Sequence, residues 1–302
     1  MAEGGTRKRR QKGQKATGVR VYDAMMKYVA SPGQLDRHGF PRPGQQQDKA
    51  KFSCSPPKEA FNNTKHKTCY RCGDSFILEK SGRITGGECW YHSGRLHDDG
   101  YTCCGEDEDE EGCTTAKTHV HRDNVLDRYG YVETYEKPIP YGVNPGIYAI
   151  DCEMSYTVNG MELTCVSIVD ENCDTVYDTY VKPYGRILDY NTQFSGVTKK
   201  CLRGETTTLE DVQNFMLETF SKDTILVGHS LESDFVALRL IHEKVVDTSL
   251  IFTHPMGFPY KYALRTLARK KIGKTVQDGE HDSEEDATTC MQIMLDRIGF
   301  SV

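Results

Sequence analysis

Apolar and polar positions fall into two regimes along this chain. From residue 145 to 298 they follow strand and helix periods; before residue 122 neither period is sustained. Ile147–Cys152, Thr164–Asp170 and Val176–Val181 are three β-rich runs joined by short turns, the pattern of an antiparallel meander. Helical spacing follows over Thr206–Phe220, with Leu209, Val212, Phe215, Met216 and Phe220 on one face and Thr207 or Thr208 as cap. A strand at Thr224–Val227, a helix at Glu232–His242 and a strand at Val245–Thr248 come next, then helices at Tyr262–Lys271 and Ser283–Ile298. Three antiparallel strands followed by alternating strands and helices predict an α/β domain with a mixed sheet flanked by helices.

The first strand carries the candidate chemistry. Side chains alternate along a strand, so Asp151 and Glu153 point to one face. Two carboxylates this close repel unless a cation lies between them, and carboxylate oxygens suit Mg²⁺ or Mn²⁺. Partners come later: Asp234 in the first turn of the helix after Thr224–Val227, and Asp286 with His281 at the start of the last helix. Alone, the first pair also reads as an ordinary strand end with two solvated acids, and His281 as a surface loop histidine. The ordered recurrence of four acids and a histidine argues against both.

These segments resemble the DEDDh 3′→5′ exonucleases, whose motifs are D-x-E on the first strand, a central Asp, and H-x4-D. Tyr148 to Met154 (Y-A-I-D-C-E-M), Phe194 to Thr198 (F-S-G-V-T), Gly228 to Asp234 (G-H-S-L-E-S-D) and Val245 to Thr248 (V-V-D-T) resemble the RNA exonuclease 1 / GOR branch. The resemblance covers about residues 145–298. It implies a ribonuclease-H-like fold and hydrolysis of RNA 3′ ends with two divalent ions. Asp151, Glu153, Asp234 and Asp286 would hold the ions, and His281 would be the base. It also implies that Met154, Gly196, Val197 and Thr198 line the terminal-nucleotide pocket.

Composition divides the rest. Residues 1–51 hold 12 Lys/Arg against 4 Asp/Glu in a chain of net charge −6. Arg7-Lys8-Arg9-Arg10 with Lys12 and Lys15 reads as a nuclear-import signal, an RNA-attracting arm or a solvated tail. This segment is expected to be largely disordered, with a short helix at Val21–Ala30 and an irregular Pro/Gly-rich stretch at Ser31–Gly44. Residues 52–121 form a Cys/His-rich module, 122–144 a linker whose tyrosines pack on the nuclease surface, and 145–302 the nuclease. No apolar run of about 18 residues and no apolar N-terminal core is present, so neither a membrane span nor a signal peptide is expected. A nuclear location is expected, with the cytoplasm as the alternative.

Seven of the 12 cysteines lie between residues 54 and 121. The spacing is Cys69-x2-Cys72, Cys89-x2-His92, Cys103-Cys104 and Cys113-x5-His119, six thiols and two imidazoles, enough for two closed tetrahedral Zn²⁺ sites whose pairing is open. His97, His121 and Cys54 are spare candidates. A segment with so little apolar run needs metal to fold; the bland alternative is a set of reduced structural cysteines. The region is similar to the Cys/His-rich region before the nuclease in some RNA exonuclease 1 relatives, and in spacing to CHORD zinc modules. The acidic run Glu106–Glu111 reads as a solvated loop that repels RNA, leaving open a protein partner or intramolecular docking.

Six Lys/Arg between Tyr260 and Lys274, with no acid, mark the expected phosphate-tracking surface, Arg265 and Arg269 sharing one helical face. The leading reading is a metal-dependent 3′→5′ exoribonuclease acting on single-stranded RNA 3′ ends. A DNA or short-oligonucleotide exonuclease, and a zinc-dependent binding module with a secondary nuclease fold, are the alternatives.

Overall fold

The structure is a computed structural model and describes residues 18–53, 65–97, 99–122, 129–277 and 281–300. Its frame is a mixed sheet. β1 (Ile147–Thr157) and β2 (Gly160–Asp170) form a hairpin, and β3 (Thr175–Tyr180) continues the antiparallel meander. β4 (Ile187–Asp189) pairs with the far end of β1, while β5 (Ile225–Gly228) and β6 (Val245–Asp247) add in parallel. The order β3-β2-β1-β5-β6 makes β1 central, which is why its apolar positions are buried on both faces.

Helices cover both faces. On one, Ile147 and Ala149 of β1 pack with Leu264 and Leu267 of α7 (Leu264–Ile272) and with Ala287, Met291 and Met294 of α8 (Ser283–Arg297). On the other, Ile150 and Cys152 pack with Val212 and Met216 of α4 (Leu209–Thr219) and Phe235 of α5 (Glu232–Ala237). Strand alternation therefore turns Asp151 and Glu153 toward the face that α8 covers. Two short helices complete the set, α3 (Thr192–Ser195) and α6 (Thr248–Ile251).

The structure corrects four expectations. Residues 18–51 are not a disordered arm: α1 (Gly18–Met25) buries Val21 and Met25 against the α7/α8 face. Ser31–Gly44 is not wholly irregular. α2 (Pro32–Arg37) starts with a capping box between Ser31 and Gln34, and Leu35 and Phe40 enter the opposite core. Burial of these four apolar side chains outweighs the Pro/Gly content that suggested a loop. The helix expected at Glu232–His242 stops at Ala237. Arg239 takes φ 48°, and Leu240–Ile241 pairs in parallel with Val132–Glu133, a segment assigned to the linker. Of the four linker tyrosines only Tyr131 is buried; Tyr129, Tyr135 and Tyr141 are exposed. The basic cluster at 7–15 and Cys54 lie outside the described residues. No helix among the described residues is long and apolar enough to cross a membrane.

The Cys/His region consists of three two-stranded pairs, at His66–Thr68 with Ser75–Ile77, Cys89–Tyr91 with Thr114–Ala116, and Leu96–His97 with Gly100–Tyr101. It shares one small core with the mixed-sheet domain, in which Phe76 and Val120 meet Tyr156 of β1.

Candidate active site and metal centres

The sheet delivers two of the acids and the helices two more. Asp151 and Glu153 sit opposite Ser167 and Cys165 in the hairpin, just before a register shift between Glu153 and Met154. Such a bulge re-aims the strand beside a site. α8 begins at an Asp282 cap that accepts from the amides of Glu284 and Glu285, and Ser283 bonds Ser167 of β2 at 2.6 Å, which seats the helix start over the two strand acids. Asp286 is then turned inward, while Glu284 bonds Thr175 and Glu285 pairs with Lys274 at 3.5 Å. The helix register thus separates the inward carboxylate from its two neighbours in sequence. Asp234 is buried near the start of α5, and the turn before it is fixed by Asp247, whose carboxylate accepts from the amides of Ser230, Leu231 and Ser249 at 3.0, 2.9 and 2.8 Å.

Ligand atoms of Glu153, His281 and Asp286 lie within 4.8 Å of one another. His281 Nδ1 is 3.6 Å from Asp286 Oδ2, which also accepts from Gln277 Nε2 at 2.6 Å; Asp286 Oδ1 is buried with no hydrogen-bond partner. The carboxyls are pushed upward: Asp151 well up, by burial and then by Asp234, Asp286 and Glu153; Glu153 to about 9, by burial and then Asp286 and Asp234; Asp234 to about 8, by burial and then Glu232; and Asp286 to about 6, by burial. Burial and, beside Arg265, like charge lower His281. Packed carboxylates that resist joint ionisation, with one oxygen unpartnered, fit a divalent cation, whose charge inverts that balance. The oxygen-rich donor set suits Mg²⁺ or Mn²⁺.

A cavity of about 510 Å³ opens beside this cluster, lined by Glu153, Tyr180, Gly196, Val197, His281 and Asp282 among others. Gly196 and Val197 line this cavity. Thr198 does not line the cavity; its hydroxyl bonds Cys201. Met154 lies across the bulge, in a separate cleft with Ser233. On α7, Arg265 and Arg269 are exposed, but the expected basic surface is partly spent. Lys261 pairs with Glu232 and Lys274 with Glu285, and Lys270 and Lys271 lie over the rings of Tyr262 and Phe252. His229 is a hydrogen-bonding residue, its Nδ1 2.9 Å from Thr248 Oγ1.

The eight Cys/His candidates gather into two groups, each with ligand atoms within 4.8 Å of one another: Cys69, Cys72, Cys89 and His119; and His92, Cys103, Cys104 and Cys113. In the first, Cys69 Sγ is 3.6 Å from Cys89 Sγ and Cys72 Sγ is 3.4 Å from His119 Nδ1. In the second, Cys103 Sγ is 3.4 Å from Cys113 Sγ and Cys104 Sγ is 3.3 Å from His92 Nδ1. A tetrahedron with Zn–S near 2.3 Å has sulfur edges of about 3.8 Å, so these are metal-site spacings and far beyond a disulfide bond. Amides of Cys72, Val120 and Arg71 hold Cys69 at about 6 against its burial, and the Gly94 amide helps hold Cys103 there against desolvation, both favouring thiolate. His92 Nε2 faces the Glu110 carbonyl at 3.2 Å, leaving Nδ1 toward the sulfurs. Part of the acidic run is therefore a support for a ligand. The first group is largely buried and the second exposed. His121 faces the Val158 carbonyl instead, and His97 lies in a strand pair outside both groups.

Spacing did not reveal three contributors. Gln277 is a lone amide in a loop, Asp247 acts only through backbone amides, and Arg71 lies between two ligand cysteines. Only V-V-D-T pointed at any of them.

No protein-family model matches the chain. It is 42% identical over 289 residues to human RNA exonuclease 1 homolog, covering 92% of this chain and 24% of that protein. Chimpanzee exonuclease GOR is 41% identical over 288 residues, 91% of this chain and 41% of the relative. RNA exonuclease 3 of Schizosaccharomyces pombe is 36% identical over 254 residues, 80% of this chain and 44% of the relative. The chain spans less than half the length of these relatives. Among solved structures, the Neurospora crassa Pan2 catalytic unit (protease and nuclease domain) aligns with a TM-score of 0.46 at 25% identity, covering 55% of this chain and 29% of that one. By sequence, over nine-tenths of its length, this chain is similar to the RNA exonuclease 1 and GOR exonucleases.

Proposed function

We propose that the chain is a metal-dependent exoribonuclease that removes nucleotides from RNA 3′ ends, with Asp151, Glu153, Asp234 and Asp286 as metal ligands and His281 as general base. The observation that carries the reading is the meeting of Glu153, His281 and Asp286 within 4.8 Å around an unpartnered buried oxygen of Asp286. RNA as substrate is supported by relatives whose names are RNA exonucleases.

Divalent ions held by the four carboxylates would supply an activated water and offset charge on the phosphate. His281, with Nδ1 turned toward Asp286, keeps Nε2 to take the proton of the attacking water, and its lowered pKa leaves it neutral to do so. Gln277 orients Asp286. Gly196 and Val197 wall the terminal nucleotide in a cavity within the ~300–1,000 Å³ range of small-ligand sites. The two Cys/His groups would hold structural Zn²⁺. A nuclear place of action is supported by the Arg7–Arg10 cluster alone.

The test is a 5′-labelled single-stranded RNA incubated with Mg²⁺ or Mn²⁺, beside its DNA counterpart and a 3′-phosphorylated RNA. Wild type should give a ladder shortening from the 3′ end, and Asp151→Asn and His281→Ala should not. Faster cutting of DNA would favour the deoxy substrate. Absence of cleavage with either metal would sink the proposal and leave the zinc-dependent binding module.

A further inference from the structure

We infer that the part of the nucleic acid upstream of the reacting end runs over a basic trough built from residues 182–203, and that α7 is not the main phosphate track. This rests on the proposed exonuclease reading, because it assigns where the body of the same single-stranded substrate lies.

The trough is a cavity of about 350 Å³ lined by Lys182, Arg186, Tyr190, Lys199 and Arg203 together with small apolar groups, and none of its lining residues is acidic. Among the described residues no carboxylate pairs with Lys182, Lys199 or Arg203, and all three are exposed. Four exposed cations with no acid among the lining residues make a positive patch on a chain whose net charge is −6, a surface that suits a polyanion. Arg186 is tied to the Gly82 carbonyl, so one cation is already held in place.

Position decides the rest. Lys182 and Pro183 also line the neighbouring cleft that contains Met154, Tyr184 and Ser233. Met154 follows Glu153 on β1, and Ser233 precedes Asp234 on α5, so the cleft starts one residue from two of the site carboxylates. Through the shared Lys182 and Pro183, the cleft beside these sequence neighbours of the acids runs on into the trough. Tyr184, 60% exposed in that cleft, offers a base-stacking face where the two cavities meet. Cations that follow a backbone, interleaved with an exposed ring, are how single strands are held without sequence readout. Of the six cations between Tyr260 and Lys274, Lys261 and Lys274 are in ion pairs and Lys270 and Lys271 lie over rings, so less charge is free there.

The test compares binding in an Asp151→Asn background, so that RNA survives the measurement. Affinities for a fluorescent 20-nucleotide RNA and a 4-nucleotide RNA are measured from 50 to 200 mM salt. Lys199→Gln/Arg203→Gln should weaken the longer RNA about tenfold at low salt, lower the salt slope by about 1.4, and change the shorter one far less. Far-UV circular dichroism and melting confirm that these exposed substitutions leave the fold intact. Unchanged affinity and slope for the longer RNA would overturn the trough, as would a loss seen only with Arg265→Gln/Arg269→Gln, or no binding of the longer RNA at all. Cleavage by the wild-type chain is scored separately. Wild type that binds through the trough yet cuts no RNA would refute the exonuclease while leaving the trough standing.

Discussion

Arg71 Nη1 donates to Asp189 Oδ2 at 2.5 Å, joining the loop between two zinc-ligand candidates to the strand that leads into the wall of the active-site cavity. Its guanidinium also lies 5.1 and 5.0 Å from the rings of Tyr91 and Tyr156 and 3.4 Å from Asn191 Oδ1. The Cys69–Cys72 loop and the Asp189–Val197 segment thus share one anchor. Arg71→Ala leaves Asp189 without its partner and should cost about 2–4 kcal/mol. Melting would give the total, and hydrogen exchange should show faster exchange at 187–197. Arg71→Lys should not restore protection, because a lysine cannot both fork and stack. Protection unchanged in Arg71→Ala would show that the module merely rests on the mixed-sheet domain.

The two Cys/His groups should differ in consequence. Cys69 and Cys89 are buried in the core shared with Tyr156, while Cys103, Cys104 and Cys113 are exposed. Cys89→Ser should lose one Zn²⁺ per chain and lower the melting temperature of the mixed-sheet domain itself, whereas Cys113→Ser should lose the other and unfold only local structure. Elemental analysis and calorimetry check both. Structural Zn²⁺ is worth on the order of 10 kcal/mol in small modules, so equal effects would mean that the module folds independently of its core contact.

Asp151→Asn should abolish cleavage, by at least ~10³-fold, yet raise the melting temperature of the metal-free protein. The removed charge is one that Asp234, Asp286 and Glu153 oppose. Adding Mg²⁺ or Mn²⁺ should stabilise wild type more than the variant. A variant that melts lower without metal would mean that packing of Asp151, and not its charge, dominates.

His242 is buried with Nδ1 2.8 Å from Thr134 Oγ1 and Nε2 2.8 Å from the Thr224 carbonyl, and burial, aided by Lys244, lowers it to about 4. Its folded value lies below the unfolded value near 6.5, so the unfolded chain binds the extra proton. The stability it confers is therefore complete above about pH 6.5 and lost as pH falls toward 4, by about 3 kcal/mol at most. The carboxylates change stability in the opposite sense over the same range, so the check is the difference between wild type and His242→Asn across pH, with the ring resonance titrating near 4. A ring that titrates near 6.5 would refute the burial argument.

Period and spacing alone predicted the meander, α4, α7 and α8, because strands buried on two faces and amphipathic helices write their environment into a local pattern. The resemblance carried by D-x-E and H-x4-D pointed to Asp151, Glu153, His281 and Asp286 as the expected site, and the two acids of one strand stay neighbours when folded. Three things were decided only by tertiary packing. The pairing of eight zinc-ligand candidates depends on which loops meet, and 4 cysteines or histidines at similar spacings are chemically interchangeable until they do. The docking of residues 18–43 depends on grooves formed by distant helices, which no local period records. The partners of Asp286, Asp247 and Arg71 lie up to 118 residues away from them or act through backbone amides, so their roles exist only once the chain has closed on itself.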